Sequence, residues 1–219
     1  MQLARTLLEQ HNMPICIING AVGGTRIDQH LRNESNPEYG NSIYGRLLTR
    51  VKAAKLTHDI HAVLWHQNDQ DQGREGPFGG DFDYKWYPQN FVNLSGAWKQ
   101  NFPNIKNYYI YQVWPAACGD TSANDMLRET QRTLPYLYSN TRIISTLGVV
   151  PGSGCHYSIA GYEFMDTVPV GAVSSTTAGV GVSVTENSPD SATDTIVITV
   201  PAAKAAGGKL LGLLRGTVP

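Results

Sequence analysis

Apolar and polar positions follow a regular block pattern from residue 1 to about residue 165. Short apolar runs that are typical of buried strands lie at 14–18, 60–65, 108–114 and 142–147. Apolar residues spaced three or four apart, which predict helices, lie at 43–54, 86–98 and 123–137. Strands that alternate with helices indicate an α/β fold, in which a mostly parallel sheet carries helices on both faces.

The composition changes from about residue 169, where Ala, Gly, Val, Ser and Thr dominate. Strand-like runs in this part lie at 180–184, 195–200 and 210–214. We therefore predict an α/β domain over residues 1–168 and a β-rich C-terminal extension over residues 169–219. The extension is either an accessory module or a set of strands that pack back on the core.

Composition and charge exclude several classes of partner. The chain has 219 residues, with 17 Lys and Arg against 18 Asp and Glu, and a net charge of -1. The sequence has no basic stripe of the kind that binds nucleic acid or an anionic membrane. No apolar run reaches the roughly 20 residues of a membrane-spanning helix. The first ten residues, MQLARTLLEQ, place Leu3, Leu7 and Leu8 on one helical face and lack the features of a secretory signal.

A glycine-rich segment, Asn19 to Thr25, follows the first predicted strand. Glycines permit a tight turn that leaves backbone N–H groups free to stabilise an oxyanion or a phosphate. A purely structural turn explains the segment equally well. The spacing matches neither the Rossmann fingerprint nor a P-loop, so no nucleotide cofactor is predicted.

The second predicted strand ends in a polar cluster, His66 to Gln72. His66, Asp69 and Asp71 carry side chains that bind metals, but their spacing matches no defined metal motif. We favour a hydrogen-bonding site over a metal site here.

His156 lies in a loop rich in Gly and Pro after the fourth predicted strand. A histidine at a strand end is a reasonable general base, although a lone histidine is more often structural. Three polar clusters at three strand ends carry more weight together, because chemistry in parallel sheets collects at the carboxyl ends of the strands.

The chain has three cysteines. Cys16 lies within an apolar run, which predicts a buried thiol. Cys118 and Cys155 lie in loops after strands, so a disulfide between them is one option that spacing alone does not decide.

Three segments together resemble conserved blocks of the SGNH/GDSL hydrolase superfamily. They are PICIINGAVGGT at 14–25, LWHQ with acidic residues after it at 64–71, and GCHY with AGY after it at 154–162. The nearest version is that of bacterial sialate O-acetylesterases and acetylxylan esterases of carbohydrate esterase family 6. The resemblance covers about residues 1–165. It implies a three-layer, flavodoxin-like fold, an acetylated saccharide as substrate and no cofactor. The family as a whole leans towards export, but the compartment of this chain stays open.

The resemblance also implies roles for individual residues. A serine attacks the acetyl ester and His156 accepts its proton. Gly23, Gly24 and Gln67 donate hydrogen bonds to the oxyanion. His66 is a further contributor to the site.

The sequence departs from the family pattern in three respects. No G-x-S block for the nucleophile appears, and Ser153 lies where the family has no nucleophile. Asn68 and Asp69 stand in place of Gly-Glu, and Asp69 is our choice for the triad acid. Ser153 also stands three residues before His156, where an aspartate is common; its hydroxyl can orient the imidazole but cannot balance an imidazolium charge.

The absent block predicts a sheet without its first strand, in a chain that starts late. An incomplete sheet exposes an edge, which favours self-association into a homo-oligomer. We therefore expect the isolated chain to be a weak esterase.

Two other classes of function stay open. A carbohydrate-binding remnant of such an esterase would use aromatic surfaces, although core packing is the better explanation of these rings: Trp65, Trp86, Tyr84 and Tyr87. A metal-dependent hydrolase would use the acids and histidines of the strand ends: His66, Asp69, Asp71 and His156.

Overall fold

A computed structural model of the chain describes residues 2–12, 15–67, 69–72, 84–117, 121–149, 154–167 and 209–215. The helices of this part are α1 (Gln2–His11), α2 (Ile43–Ala53), α3 (Tyr87–Asn101), α4 (Thr121–Leu137) and α5 (Ile159–Thr167). The strands are β1 (Ile15–Asn19), β2 (Ile60–His66), β3 (Asn107–Tyr111), β4 (Thr141–Ile144) and β5 (Lys209–Arg215).

The strands form one parallel sheet in the order β1-β5-β2-β3-β4. With β5 set aside, the remaining order follows the chain, and a gap is left between β1 and β2. A flavodoxin-like sheet places its first strand in that gap. The predicted α/β fold is confirmed, and the C-terminal β5 occupies the position that the first strand has in a flavodoxin-like sheet.

The pairing of β5 is long-range on both sides. Ile15 pairs with Lys209 on one side, and His66 pairs with Arg215 on the other. The run predicted at 210–214 is therefore a strand that packs back on the core. The runs predicted at 180–184 and 195–200 lie outside the described residues, and the division into two domains stays a prediction.

Two apolar clusters cover the two faces of the sheet. One contains Val63 and Trp65 of β2 with apolar side chains of α2, α3 and α4. The other contains Ala62 and Leu64 of β2 with Leu7 of α1 and Met165 of α5. Because successive residues of a strand point to opposite faces, β2 is buried on both sides, and the result is a three-layer structure.

The helices begin where the sequence provides start signals. Ser42 caps α2, since its hydroxyl accepts a hydrogen bond from the N–H of Gly45 at 2.9 Å. Pro88 lies in the first turn of α3, where its missing N–H costs nothing. None of the described helices is long and apolar enough to cross a lipid bilayer.

The third and fourth strands end earlier than predicted. Beyond Tyr111 the N–H of Val113 donates to the side chain of Gln131 on α4 at 2.9 Å, so this backbone leaves the ladder. Beyond Ile144 the N–H of Leu147 donates to the hydroxyl of Ser145 at 3.2 Å. Side-chain acceptors therefore terminate both strands.

The predicted burial of Cys16 is wrong, and one apolar residue of α1 is also exposed. Cys16 is exposed with a free thiol, because β1 is an edge strand of the sheet. Leu8 is 51% exposed, whereas Leu3 and Leu7 on the same helix are buried. The apolar stripe of α1 is thus one residue narrower than its sequence indicates.

Candidate functional site

The turn after β1 presents its backbone to solvent. Gly23 and Gly24 are exposed, and Gly24 has a φ of 67°, a left-handed conformation that strains other residues. The hydroxyl of Thr25 donates to the carbonyl oxygen of Val22 at 2.7 Å and closes the turn. The local sequence therefore builds a fixed loop with accessible N–H groups.

A buried histidine supports this turn. Nε2 of His30 lies 2.7 Å from Oγ1 of Thr25. Because that hydroxyl already donates to Val22, we assign the hydrogen to Nε2 of His30. The ring packs edge-on against Trp65, with centroids 5.1 Å apart. Burial lowers the pKa of His30 to about 4, so its imidazole is neutral at pH 7.

Gln67 connects the end of β2 to the same turn. Its Nε2 donates to the carbonyl oxygen of Thr25 at 2.5 Å and to Oδ2 of Asp71 at 2.6 Å. These two bonds use both hydrogens of the amide. Oε1 of Gln67 is buried and has no hydrogen-bond partner within the described ranges. The predicted role of Gln67 as an oxyanion donor stays a prediction.

Asp71 completes the network, and the sequence had indicated it only as a metal ligand. Its Oδ2 also accepts the N–H of Ile27 at 3.0 Å. Burial raises the pKa of Asp71 to about 7, although the hydrogen bonds from Gln67 and Ile27 lower it. The guanidinium of Arg26 offsets little of this, since it is paired with Asp28 at 2.8 Å. Burial therefore keeps a proton on Asp71 at a higher pH than on an exposed carboxyl group.

The acid chosen from the sequence lies next to this network. The backbone of Asp69 begins the 3₁₀ turn Asp69–Asp71. The side chain of Asp69 and all of Asn68 lie outside the described residues. No local signal in the sequence distinguishes Asp71 from the other acid of this cluster.

The histidine loop reaches the same end of the sheet through Tyr157. The ring of Tyr157 lies 5.7 Å from the ring of His66 and 5.6 Å from that of Trp114. His66 also contacts Tyr111, with ring centroids 5.6 Å apart. These contacts place the residue next to His156 over the carboxyl ends of β2 and β3.

His156 is half-buried at the end of this loop. Its Nδ1 is buried and has no hydrogen-bond partner among the described residues. Gly154 has a φ of 61°, and Cys155 is disulfide-bonded. Cys118 and Ser153, the predicted partners of this segment, lie outside the described residues.

The structure thus forms two groups of contacts at the carboxyl end of the sheet, and a shared site for all of the predicted residues stays a prediction. The diglycine turn meets Gln67 through Thr25, and the histidine loop meets β2 through His66. No group of three or more His, Cys, Asp or Glu side chains that could hold a metal ion occurs within the described residues.

A comparison with protein-family models matches residues 1–165 to the family of carbohydrate esterases described as sialic acid-specific acetylesterases. The chain belongs to this family. All three loops of the candidate site lie within the matched residues, whereas β5 lies beyond them. None of the curated proteins matches the chain.

Membership of the carbohydrate esterase family assigns this chain to the esterase-type hydrolases. Within the family region, the shared α/β sheet explains why the three loops converge, since they follow β1, β2 and β4 at the same edge. Of the residues after 167, the structure describes β5, which is an interior strand of the sheet between β1 and β2.

Proposed function

We propose that this protein removes O-acetyl groups from saccharides through an acyl-enzyme mechanism of the Ser-His type. Sialate and acetylated xylan are the substrates to be tested. The observation that carries the proposal is the convergence of the diglycine turn, Gln67 and the histidine loop at one end of the sheet. Family membership supports the same reaction class.

The reaction needs two acyl transfers. A serine oxygen attacks the acetyl carbon, and His156 takes the proton of that hydroxyl. The sugar oxygen then leaves with this proton. Water attacks the acyl-enzyme with the help of the same imidazole and releases acetate. The attacking serine is not assigned to a residue of this chain.

The turn after β1 supplies the oxyanion site in this proposal. Gly23 and Gly24 are exposed on a loop that Thr25 and His30 hold in place, and their N–H groups are the donors that we propose. Preorganised donors of this kind stabilise developing charge without reorganising. Gln67 contributes by holding the loop, and its amide becomes a donor only if it releases Thr25.

The Nδ1 of His156 is buried and has no hydrogen-bond partner among the described residues. Because an unsatisfied buried nitrogen costs about 1–3 kcal/mol, a triad in which this nitrogen gains a partner supports the role of His156 as general base. We propose that Ser153 orients this nitrogen and that Asp69 balances the charge of the imidazolium. The disulfide at Cys155 restrains the loop next to this ring.

Turnover of p-nitrophenyl acetate by the full chain tests the proposal. We expect His156→Ala to lower the rate at least about 100-fold, the usual contribution of a general base. His58→Ala is the matched control, because His58 is exposed and precedes β2 at the opposite end of the sheet. Absence of turnover in the unmodified protein, or an equal loss in both variants, would overturn the proposal. A fluorophosphonate probe followed by peptide mapping then identifies the serine.

A carbohydrate-binding remnant is the second candidate. Trp65 and Tyr87 are fully buried and belong to the core, whereas Trp86 is 42% exposed. An exposed indole can stack on a sugar ring. Binding of an acetylated glycan that persists in His156→Ala and is lost in Trp86→Ala, without turnover, would favour this candidate.

A further inference from the structure

A cavity of about 530 Å³ opens between the loop after β1 and the helix α2. One wall is the backbone of residues 20–22, directly before the diglycine turn. The other wall carries Arg46, Thr49 and Arg50 of α2. Its volume lies within the range of small-ligand sites, about 300–1,000 Å³.

The two arginines of the cavity are not neutralised. Arg46 and Arg50 are exposed on successive turns of α2 and form no ion pair within the described part of the chain. Nη1 of Arg46 donates to the carbonyl oxygen of Asn41, and Nε of Arg50 donates to that of Arg46, both at 3.3 Å. Each guanidinium carries five N–H donors, so most remain available.

Other basic residues near the cavity form ion pairs with acidic residues. Lys52 on the same helix is paired with Glu38, and Arg26 and Arg32 are paired with Asp28 and Glu34. Like charges one helical turn apart repel each other. An anion between Arg46 and Arg50 would relieve that repulsion, and the lining of the cavity contains no carboxylate of its own.

We infer that this cavity is a binding subsite for the carboxylate group of an ester substrate, held by Arg46 and Arg50. Guanidinium and carboxylate form paired, charge-assisted hydrogen bonds, which are stronger than neutral ones. The hydroxyl of Thr49 lies between the two arginines along the helix and offers a further donor. The inference rests on the proposed function, because residues 20–22 of the cavity wall directly precede Gly23 and Gly24, where the acetyl group would bind.

Two matched esters test the subsite: 4-acetoxybenzoate, which bears a carboxylate, and its methyl ester, which does not. For Arg46→Gln/Arg50→Gln we expect kcat/KM for 4-acetoxybenzoate to fall about 10- to 100-fold, as for a lost charge-assisted contact. The methyl ester should change less than about twofold. The control Arg5→Gln/Arg132→Gln removes the same charge from exposed positions on α1 and α4.

Equal losses for both esters, or no loss for either, would overturn the subsite while leaving the esterase intact. A direct binding arm separates this outcome from a failure of the esterase itself. Benzoate should shift the NMR signals of the Arg46 and Arg50 Nε–H groups, and benzamide should not. Unchanged signals with benzoate would overturn the subsite even in a protein without turnover.

Discussion

The side-chain amide of Gln67 donates to the carbonyl oxygen of Thr25 at 2.5 Å and fastens the end of β2 to the turn after β1. The second hydrogen of the amide is held by Asp71. The residue that follows the second strand therefore fixes the loop that follows the first. Both loops belong to the proposed site, so its geometry depends on one buried side chain.

Gln67→Glu replaces this amide with a carboxylate of the same shape. Its oxygens then face the carbonyl oxygen of Thr25 and the carboxyl group of Asp71. We expect the free energy of unfolding at pH 8 to fall by about 1–3 kcal/mol, and by less at pH 5, where a protonated carboxyl can donate. Urea unfolding at both pH values measures the difference. Gln89→Glu is the control, since Gln89 is exposed on α3; equal losses in both variants would contradict the tether.

His30 and Asp71 have opposite effects on how the free energy of unfolding changes with pH. The pKa of His30 falls from 6.5 to about 4 on folding, so the unfolded chain binds more protons between these values and stability rises with pH. The pKa of Asp71 rises from 3.8 to about 7, so the folded chain binds more protons and stability falls as pH rises. Each slope reaches at most about 1.4 kcal/mol per pH unit.

Single substitutions should separate the two slopes. Between pH 4.5 and 6.5, Asp71→Asn should grow more stable with rising pH, and His30→Gln should grow less stable. The unmodified protein should lie between them, because its two contributions oppose each other. Chemical unfolding at three pH values measures this, with the exposed Asp59→Asn as control. Parallel curves for Asp71→Asn and Asp59→Asn would refute the assignment.

Two glycines in helices should respond oppositely to alanine. A Cβ at Gly45 would lie 2.2 Å from the carbonyl oxygen of Tyr39, so Gly45→Ala must displace backbone at the start of α2. A Cβ at Gly96 in α3 meets no atom within 4 Å. We expect Gly45→Ala to destabilise the protein by about 2 kcal/mol or more and Gly96→Ala to stabilise it by about 0.5–1 kcal/mol. Thermal unfolding measures both changes. A gain in stability from Gly45→Ala would contradict the predicted clash with the carbonyl oxygen of Tyr39.

Leu211→Pro tests the position of β5 in the interior of the sheet. Proline removes an N–H from a strand that is paired on both sides by β1 and β2. We expect a loss of about 3 kcal/mol or more, seen as lower solubility and an early thermal transition. A variant Leu211→Pro as stable as the unmodified protein would contradict the pairing of β5.

Local signals predicted most of the elements. The apolar run ending at Trp65 and the helical spacing of Leu47, Leu48 and Val51 correspond to β2 and α2, because burial and periodicity coincide there. The cap at Ser42 is equally local. Such features depend on a few residues that are neighbours in the sequence, so they can be predicted from the sequence alone.

The neighbours of β5 and the burial of Asp71 were not predictable in this way. The run at 210–214 identifies a strand, but nothing in it specifies β1 and β2 as partners, since pairing over such a separation is a property of the whole fold. Asp69 and Asp71 differ in the sequence only by position within one polar cluster. The position of Asp71 depends on the Ile27 N–H, which reaches its carboxylate from another loop.

Because β5 lies between β1 and β2 and pairs with both, the strands at 15–19 and 60–66 are not linked in the sheet until residue 215 has been synthesised. Until then the nascent chain carries two unpaired strand edges, which are prone to aggregation. The late, long-range pairing predicts slow folding and a dependence on chaperones during synthesis.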